Sequence, residues 1–406
     1  MTLKSKMGAG GLLMAAGMLG LSAPAQALKI NLLDVGGVTG SPAEQGFKIA
    51  AKYWESILTN DAVINLEVGY SDLGGPDPDG SIVLGSTGST LFTDVGIGLY
   101  KGLLGATGNS ALDASAFANF DLHGDDSVIL RVPGYSDPFG APLGSDSSTS
   151  RFAPINTPIT QTIALTTANG KALLGGFEDL VDGHVEFTSN AAITFDFNPS
   201  NGIVTGGIDF IGTAIHEIGH ALGFVSGADD FDFAEAFGLL EGEEIDTAWW
   251  AYGLDMFRFG DSVVGPVRDI TPGHEAFFSV DGGETAYLDG AFSTGAFLGD
   301  GWQASHWKAP AVPPLCDVPI MNPYICSGTV DHVSALDLAA FDAIGWNLAA
   351  SARDNKNYMR TTAQIYASFV PEVSTWVQMV LGFGLLGGAL RWRTRPGIAK
   401  VRVTFA

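Results

Sequence analysis

Cysteine is nearly absent from this 406-residue chain: Cys316 and Cys326 are the only two. That excludes a disulfide-dense scaffold, and the spacing is wrong for a CxxC metal knuckle. In an exported protein such a pair predicts one disulfide closing a short loop, with a metal-binding pair as the alternative. Basic residues are also scarce, at 20 Lys+Arg against 44 Asp+Glu, and seven of the 20 lie outside residues 28–372. So acidic a body argues against nucleic acid and anionic membrane surfaces as partners. No internal repeat is visible. Gly, Ser, Thr and Asn are plentiful and aliphatic and aromatic residues recur throughout, which suits a secreted, turn-rich protein and excludes a disordered one.

The two ends read as sorting elements. Lys4 and Lys6, the apolar run Gly8 to Leu21 and the small-x-small triplet Ala25-Gln26-Ala27 form a secretory leader over residues 1–27. Near the other end, Pro371-Glu372 precedes an uncharged stretch from Val373 to Leu390, followed by Arg391, Arg393 and Arg395. The stretch is about the minimum length of a bilayer span, and the arginines fit retention on the cytoplasmic side. Pro371 to Arg395 resembles the PEP-CTERM sorting signal of Gram-negative bacteria, although the third motif residue, usually Pro, is Val373 here. The resemblance implies an exported protein tethered transiently or permanently in the inner membrane, a sorting protease of that membrane as a partner, and a cytoplasmic tail over 396–406.

Between the ends, residues 28–350 are long enough for one large core. Periodicity predicts a helix over 43–58, strands over 62–68 and 128–132, and a loop over 133–158. Ile193 to Phe197 (ITFDF) reads as a strand closed by the turn residues Asn198 to Gly202. Phe210 to Gly223 reads as a helix, with Asp209 or Thr213 as its cap and Gly223 as its stop. Further on, helices are expected over 231–240, 247–252 and 333–344, strands over 254–259 and 276–287, and a polar linker over 351–370. The loop Ser71 to Gly80 carries Asp72, Asp77 and Asp79, for which a solvated turn and a Ca²⁺ site are the competing readings.

The chemistry concentrates in the 210–223 helix, which contains His216-Glu217-Ile218-Gly219-His220. Residues four apart share one helix face, so both imidazoles can meet one Zn²⁺ while Glu217 stands beside it as a general base. A catalytic zinc takes three protein ligands and a water, and the position three residues after Gly223 is Ser226, a poor ligand. The downstream donors are His274, His306 and His332, Asp229 and Asp230, and a Glu such as Glu235 or Glu241; His123 and His184 precede the motif. No cysteine lies upstream of the motif, which excludes a thiol switch in a propeptide.

HEIGHALGF, Ser305-His306-Trp307, Ile320-Met321-Asn322-Pro323 and SALDLAAFDAIGW together resemble a metzincin zinc protease of the leishmanolysin-like sort. The resemblance covers roughly residues 193–346. It implies an α+β metzincin-like domain with a twisted mixed sheet, the HExxH helix, a Met-turn and a C-terminal helix. It also implies an inserted subdomain over 227–305 that displaces the third ligand. Carried over, His216, His220 and His306 hold one zinc, Glu217 is the base and Met321 is the Met-turn residue. Tyr324, one residue beyond the usual spacing, is the candidate oxyanion stabiliser. The insert contains no cysteine, which separates this chain from the leishmanolysin family itself. The expected activity is hydrolysis of protein or peptide substrates by metal-activated water. The rival is a surface or biofilm protein that keeps the fold without turnover.

Overall fold

The computed structural model describes residues 28–75, 82–137, 143–310 and 316–370. The expected leader (1–27), the sorting segment (371–395), the tail (396–406) and Asp77 and Asp79 of the calcium reading lie outside the described residues. Among the described residues no helix is long and apolar enough to cross a membrane. The architecture is α+β with mixed sheets.

The sheet that positions the site has four strands in the order Lys29–Gly36, Val63–Ser71, Val181–Thr188 and Gly85–Ser89. The first three run parallel, and Gly85–Ser89 closes the sheet as an antiparallel edge. Ile64, Leu66 and Val68 point one way along their strand at period two and are buried. The helix Pro42–Ile57 opens on a proline in its first turn and buries Phe47, Ala50, Ala51 and Trp54 at helical spacing. It packs on the sheet beside a second helix, Phe210–Ala221 (the site helix), which also touches the sheet directly. The Phe47 ring meets Phe187 of the sheet at 5.2 Å and Phe210 at 5.5 Å. Gly46 leaves room for the Phe210 ring, since a Cβ there would lie 2.3 Å from a ring carbon. Trp54 Nε1 donates to the Ile215 carbonyl at 3.1 Å, so the two helices are tied at the level of the motif.

Several expected elements shift once tertiary contacts are present. Residues 133–158 are not all loop: Asp146–Phe152 is a strand paired with Leu130–Gly134, and its DSSTSRF sequence lacks the apolar alternation that marks one. The excursion 227–305 is not a self-contained subdomain. Its strands Ala291–Phe292, Ala276–Phe278, Arg258–Gly260 and Val267–Asp269 continue into Leu130–Gly134 and Asp146–Phe152 as one six-stranded sheet. Leu254–Phe257 is a 3-10 turn rather than the start of a strand, and the expected 276–287 strand stops at Phe278. The 231–240 helix begins earlier, at Gly227, and ends at Ala236. The 247–252 region splits into the helix Ile245–Ala248 and the strand Ala251–Tyr252, and the ITFDF strand shrinks to Phe195–Asp196.

Residues 351–370 are a correction of the linker reading. Met359–Thr361 pairs with His332–Ser334, and Thr362–Phe369 is a helix that buries Ile365. The Thr362 hydroxyl donates to Asp209, the cap of the site helix, so this segment belongs to the folded domain. Few of its side chains are buried, and a helix of eight residues is too short to leave a strong period in sequence.

The helix Ala335–Ala343 carries Asp342, which is 1% exposed and whose Oδ1 has no hydrogen-bond partner among the described residues. Ser110 Oγ lies 2.6 Å from its Oδ2. Burial first, and then the Asp113 carboxylate, push Asp342 up to about 8. Folding therefore favours the protonated acid. The stabilisation is complete below about pH 4 and is lost as pH rises through about 8. Asp342→Asn, neutral and of the same shape, is expected to raise stability at pH 8 by about 1–3 kcal/mol and to change it little at pH 4. Urea midpoints of both proteins at the two pH values measure this; equal differences at both would refute it.

Candidate metal centre

Asp209 caps the site helix, its Oδ1 accepting from the Gly212 N–H at 3.1 Å. The α-helical period then sets His216 and His220 on one face. The helix stops because Gly223 takes φ +122°, where a Cβ would also lie 2.9 Å from Ile344 Cδ1. That turn brings the Phe224 N–H back to the Gly219 carbonyl at 3.2 Å and sets the Phe224 carbonyl 2.7 Å from His220 Nδ1.

The chain then leaves and returns, and the two ends of the excursion are fastened together. The Ser226 N–H donates to Ser305 Oγ at 2.9 Å. Ser226 Oγ in turn donates to Asp255 Oδ1 at 2.5 Å. Asp229 accepts from the Ala304 N–H at 2.5 Å, from the Ser305 N–H at 2.9 Å and from the Ser305 hydroxyl. Ser226 thus holds the residue beside His306, and is not itself a ligand. Asp229 does the same, so its place is behind the third histidine.

His306 comes back over the helix, with its Nε2 3.2 Å from both His216 Nε2 and His220 Nε2; the latter two are 3.0 Å apart. Each Nδ1 faces a carbonyl: Ile320 at 2.7 Å for His216, Phe224 at 2.7 Å for His220 and Gln303 at 3.2 Å for His306. A carbonyl only accepts, so the Nδ1 atoms carry the protons and three Nε2 lone pairs point at one another. Three acceptors this close repel unless a cation lies among them. Nitrogens bound tetrahedrally to zinc at about 2.0–2.1 Å are themselves about 3.3–3.4 Å apart, close to the separations seen. The donor set fits Zn²⁺. Among the described residues these three histidines form the one group of three or more such donors close enough to share an ion. Burial first, and then the neighbouring imidazoles, hold His220 down to about 3 and His306 well below the usual range, so both stay neutral and able to ligate.

Glu217 is buried on the same helix. Thr87 of the edge strand donates to its Oε2 at 2.8 Å. Burial pushes the carboxyl up, against the opposing influence of His216 and the Thr87 bond.

The segment 316–326 forms the floor. Cys316 and Cys326 are joined in a disulfide around it. The Ile320 carbonyl orients His216. Met321 is fully buried and packs against the helix where Gly219 is bare; a Cβ there would lie 2.8 Å from Met321 Sδ. Asp337, missed in the sequence reading, fastens the segment. It accepts from the Ile320 and Met321 N–H groups at 3.1 Å each and from Trp307 Nε1 at 2.9 Å. It also completes a capping box with Ser334. The Ser-x-x-Asp spacing was a visible signal for the cap, though not for the other bonds. Thr87 had no signal at all.

The remaining candidates lie elsewhere. His274 pairs with Asp269 at 3.1 Å, His332 sits 3.5 Å from Asp317, and His184 lies between Glu67 and Glu186. His123 bridges to Ser127. Glu235 accepts from Ser145 and Ser147, Asp230 from Tyr252, and Glu241 is exposed. Asp72 accepts from Asn190 and Gly74. Tyr324 lines the cleft that opens on the three histidines.

No protein-family model, no curated protein and no solved structure matches this chain. The chemistry of the site therefore carries the functional argument.

Asp229→Ala removes the carboxylate that holds Ala304 and Ser305. Because partners behind metal-binding histidines are worth about 10–100-fold in affinity, zinc affinity is expected to fall by about that factor with the fold retained. Competition with a chromophoric chelator measures it. Unchanged affinity in a folded variant would remove Asp229 from the design.

Proposed function

We propose that this chain is an exported zinc endopeptidase of metzincin type, leishmanolysin-like in the long route to its third ligand. The observation that carries the reading is the convergence of the three Nε2 atoms beside the buried Glu217 carboxylate. His216, His220 and His306 hold the ion. When bound, zinc supplies the positive charge that acidifies a water and polarises a carbonyl.

The protein's own groups do the rest. Thr87 fixes Glu217 Oε2, leaving Oε1 for a water in the cleft. Glu217 takes a proton from that water as its oxygen attacks the peptide carbonyl carbon. The C–N bond then breaks, and Glu217 passes the proton to the leaving nitrogen. One water is added across one amide, with no covalent enzyme intermediate. Tyr324 is the candidate hydroxyl for the developing oxyanion. The Gly85–Ser89 edge strand lines the cleft, and an extended peptide can pair with such an edge through its main chain. This favours a polypeptide substrate. The leader and sorting segment support export, passage to an inner-membrane sorting protease, and a place at or beyond the cell surface.

The test is digestion of an unfolded general protein by the purified mature chain. Cleavage that stops with a chelator and returns with zinc is expected. A chain that binds one zinc and cleaves nothing would instead support the surface protein without turnover.

A further inference from the structure

Three phenylalanines of the 227–305 excursion are left in water as a group. Phe233, Phe237 and Phe297 are each more than half exposed, at 51%, 57% and 54%. Their rings still touch one another, with centroids 4.8 Å apart for Phe233 and Phe237, 5.3 Å for Phe237 and Phe297 and 6.1 Å for Phe233 and Phe297. The group is held in place. Asp232, which is buried, accepts from the Phe297 N–H at 3.0 Å and from the Leu298 N–H at 2.8 Å, and so ties the loop 295–302 to the helix Gly227–Ala236. That loop is closed at its base, where the Gly295 N–H donates to the Trp302 carbonyl at 3.0 Å. Gly295 takes φ +136° there, and a Cβ on it would lie 2.6 Å from Asp232 Oδ1. Folding by itself favours burying such rings, and a fixed group of them in water marks a contact surface.

Both elements that carry the rings also line the cleft over the three histidines. On the helix, Asp229 lines it, and Phe233 and Phe237 follow at intervals of four, so the second ring stands about 12 Å along the axis from the cleft. On the loop, Trp302 lines it, and Phe297 is five positions earlier, within about 18 Å along the chain. An extended polypeptide covers about 3.3 Å per residue, so one leaving the cleft on this side reaches the rings after about four to six residues. Charge narrows the occupant further. No Lys or Arg occurs in residues 221–257 or 291–307, the segments that carry the rings, and Glu241, Glu243 and Glu244 follow Phe237 closely. An anionic lipid surface would be repelled. We propose that Phe233, Phe237 and Phe297 form a second binding site for the polypeptide substrate, taking an apolar segment several residues away from the bond that is cut. The proposal rests on the endopeptidase reading and gives it a substrate class, unfolded chains with exposed apolar segments.

Two experiments test it on the full mature chain with zinc. In the first, kcat and KM are measured on quenched peptides of three kinds. One is short and fills only the cleft. The long ones add Leu-Phe-Leu about five residues from the cut bond, on one side or the other, and their matches carry Ser-Ser-Ser in its place. On one side the apolar peptide is expected to show a KM at least about tenfold below its serine match with kcat unchanged, since three half-exposed rings withdrawn from water are worth at least that. The triple variant Phe233→Ser, Phe237→Ser, Phe297→Ser is expected to remove the difference and to cut the short peptide as before. Equal KM values for the apolar and serine peptides in the parent chain would overturn the proposal. So would an equal loss on the short peptide in the variant, which would make the rings a support of the cleft. Binding to phosphatidylcholine vesicles, or self-association, that the parent shows and the variant lacks, beside equal KM values, would give the surface to lipid or to a second copy instead. In the second experiment, full-length Glu217→Gln is titrated with the fluorescent long peptides, a readout that needs no turnover and leaves the rings intact. Tighter binding of the apolar peptide is expected, and equal affinities overturn the proposal. An apolar preference in binding, with no cleavage of any peptide by the parent chain, would leave the second site standing and sink the endopeptidase reading.

Discussion

Glu217→Gln is expected to cut peptide-bond hydrolysis by about 10²–10⁴-fold, the usual worth of a positioned general base, while one zinc per chain is retained. The amide occupies the same volume and still accepts from Thr87, so the buried pocket against the edge strand survives. What is lost is the carboxylate that takes and returns the proton. Turnover is measured on a quenched peptide and metal content by atomic absorption on the same preparation. A variant that cleaves at the parent rate would end the proposed mechanism.

His306→Ala is expected to lose stoichiometric zinc. Two ligands four residues apart remain on the helix, but the third Nε2, now 3.2 Å from each, is gone. The affinity loss should exceed about 100-fold, the upper end for the residues that merely orient a ligand. The parent and variant are dialysed against a weak chelator, and zinc per chain is counted. Because His306 is buried and sits beside Trp307 in the core, a thermal melt of both apoproteins separates a missing ligand from a missing fold. A folded variant that still holds one zinc would redirect the search to another donor.

The parts of this site written in neighbouring residues could be read without a structure. Asp209, His216, Glu217, His220 and Gly223 lie within one helix and its two ends, where a period of about 3.6 residues, a cap and a left-handed stop are local rules. The helices 42–57 and 335–343 and the buried strand 63–71 were recognisable for the same reason. Short strands with polar sequences were not: Asp146–Phe152 owes its state to its partner strand, and Met359–Thr361 to His332–Ser334. The expected linker became a docked helix because one threonine reaches the Asp209 cap 153 positions earlier, a contact with no trace in periodicity.

The third histidine sits between these two kinds of knowledge. Sequence limited it to a handful of donors, and the Ser305-His306-Trp307 and Met321 motifs pointed to one of them. The geometry that brings His306 over the helix is non-local. The Ser226–Ser305 bond, the Asp229 clamp and the Asp337 hub each join groups that are remote in sequence or on separate elements. Helical spacing sets His216, His220 and Glu217 close together on one helix at no cost in loop closure. Returning the third ligand from an excursion of 79 residues requires that loop to be closed and held, and only the folded chain, with buried carboxylates gripping backbone N–H groups, supplies the hold.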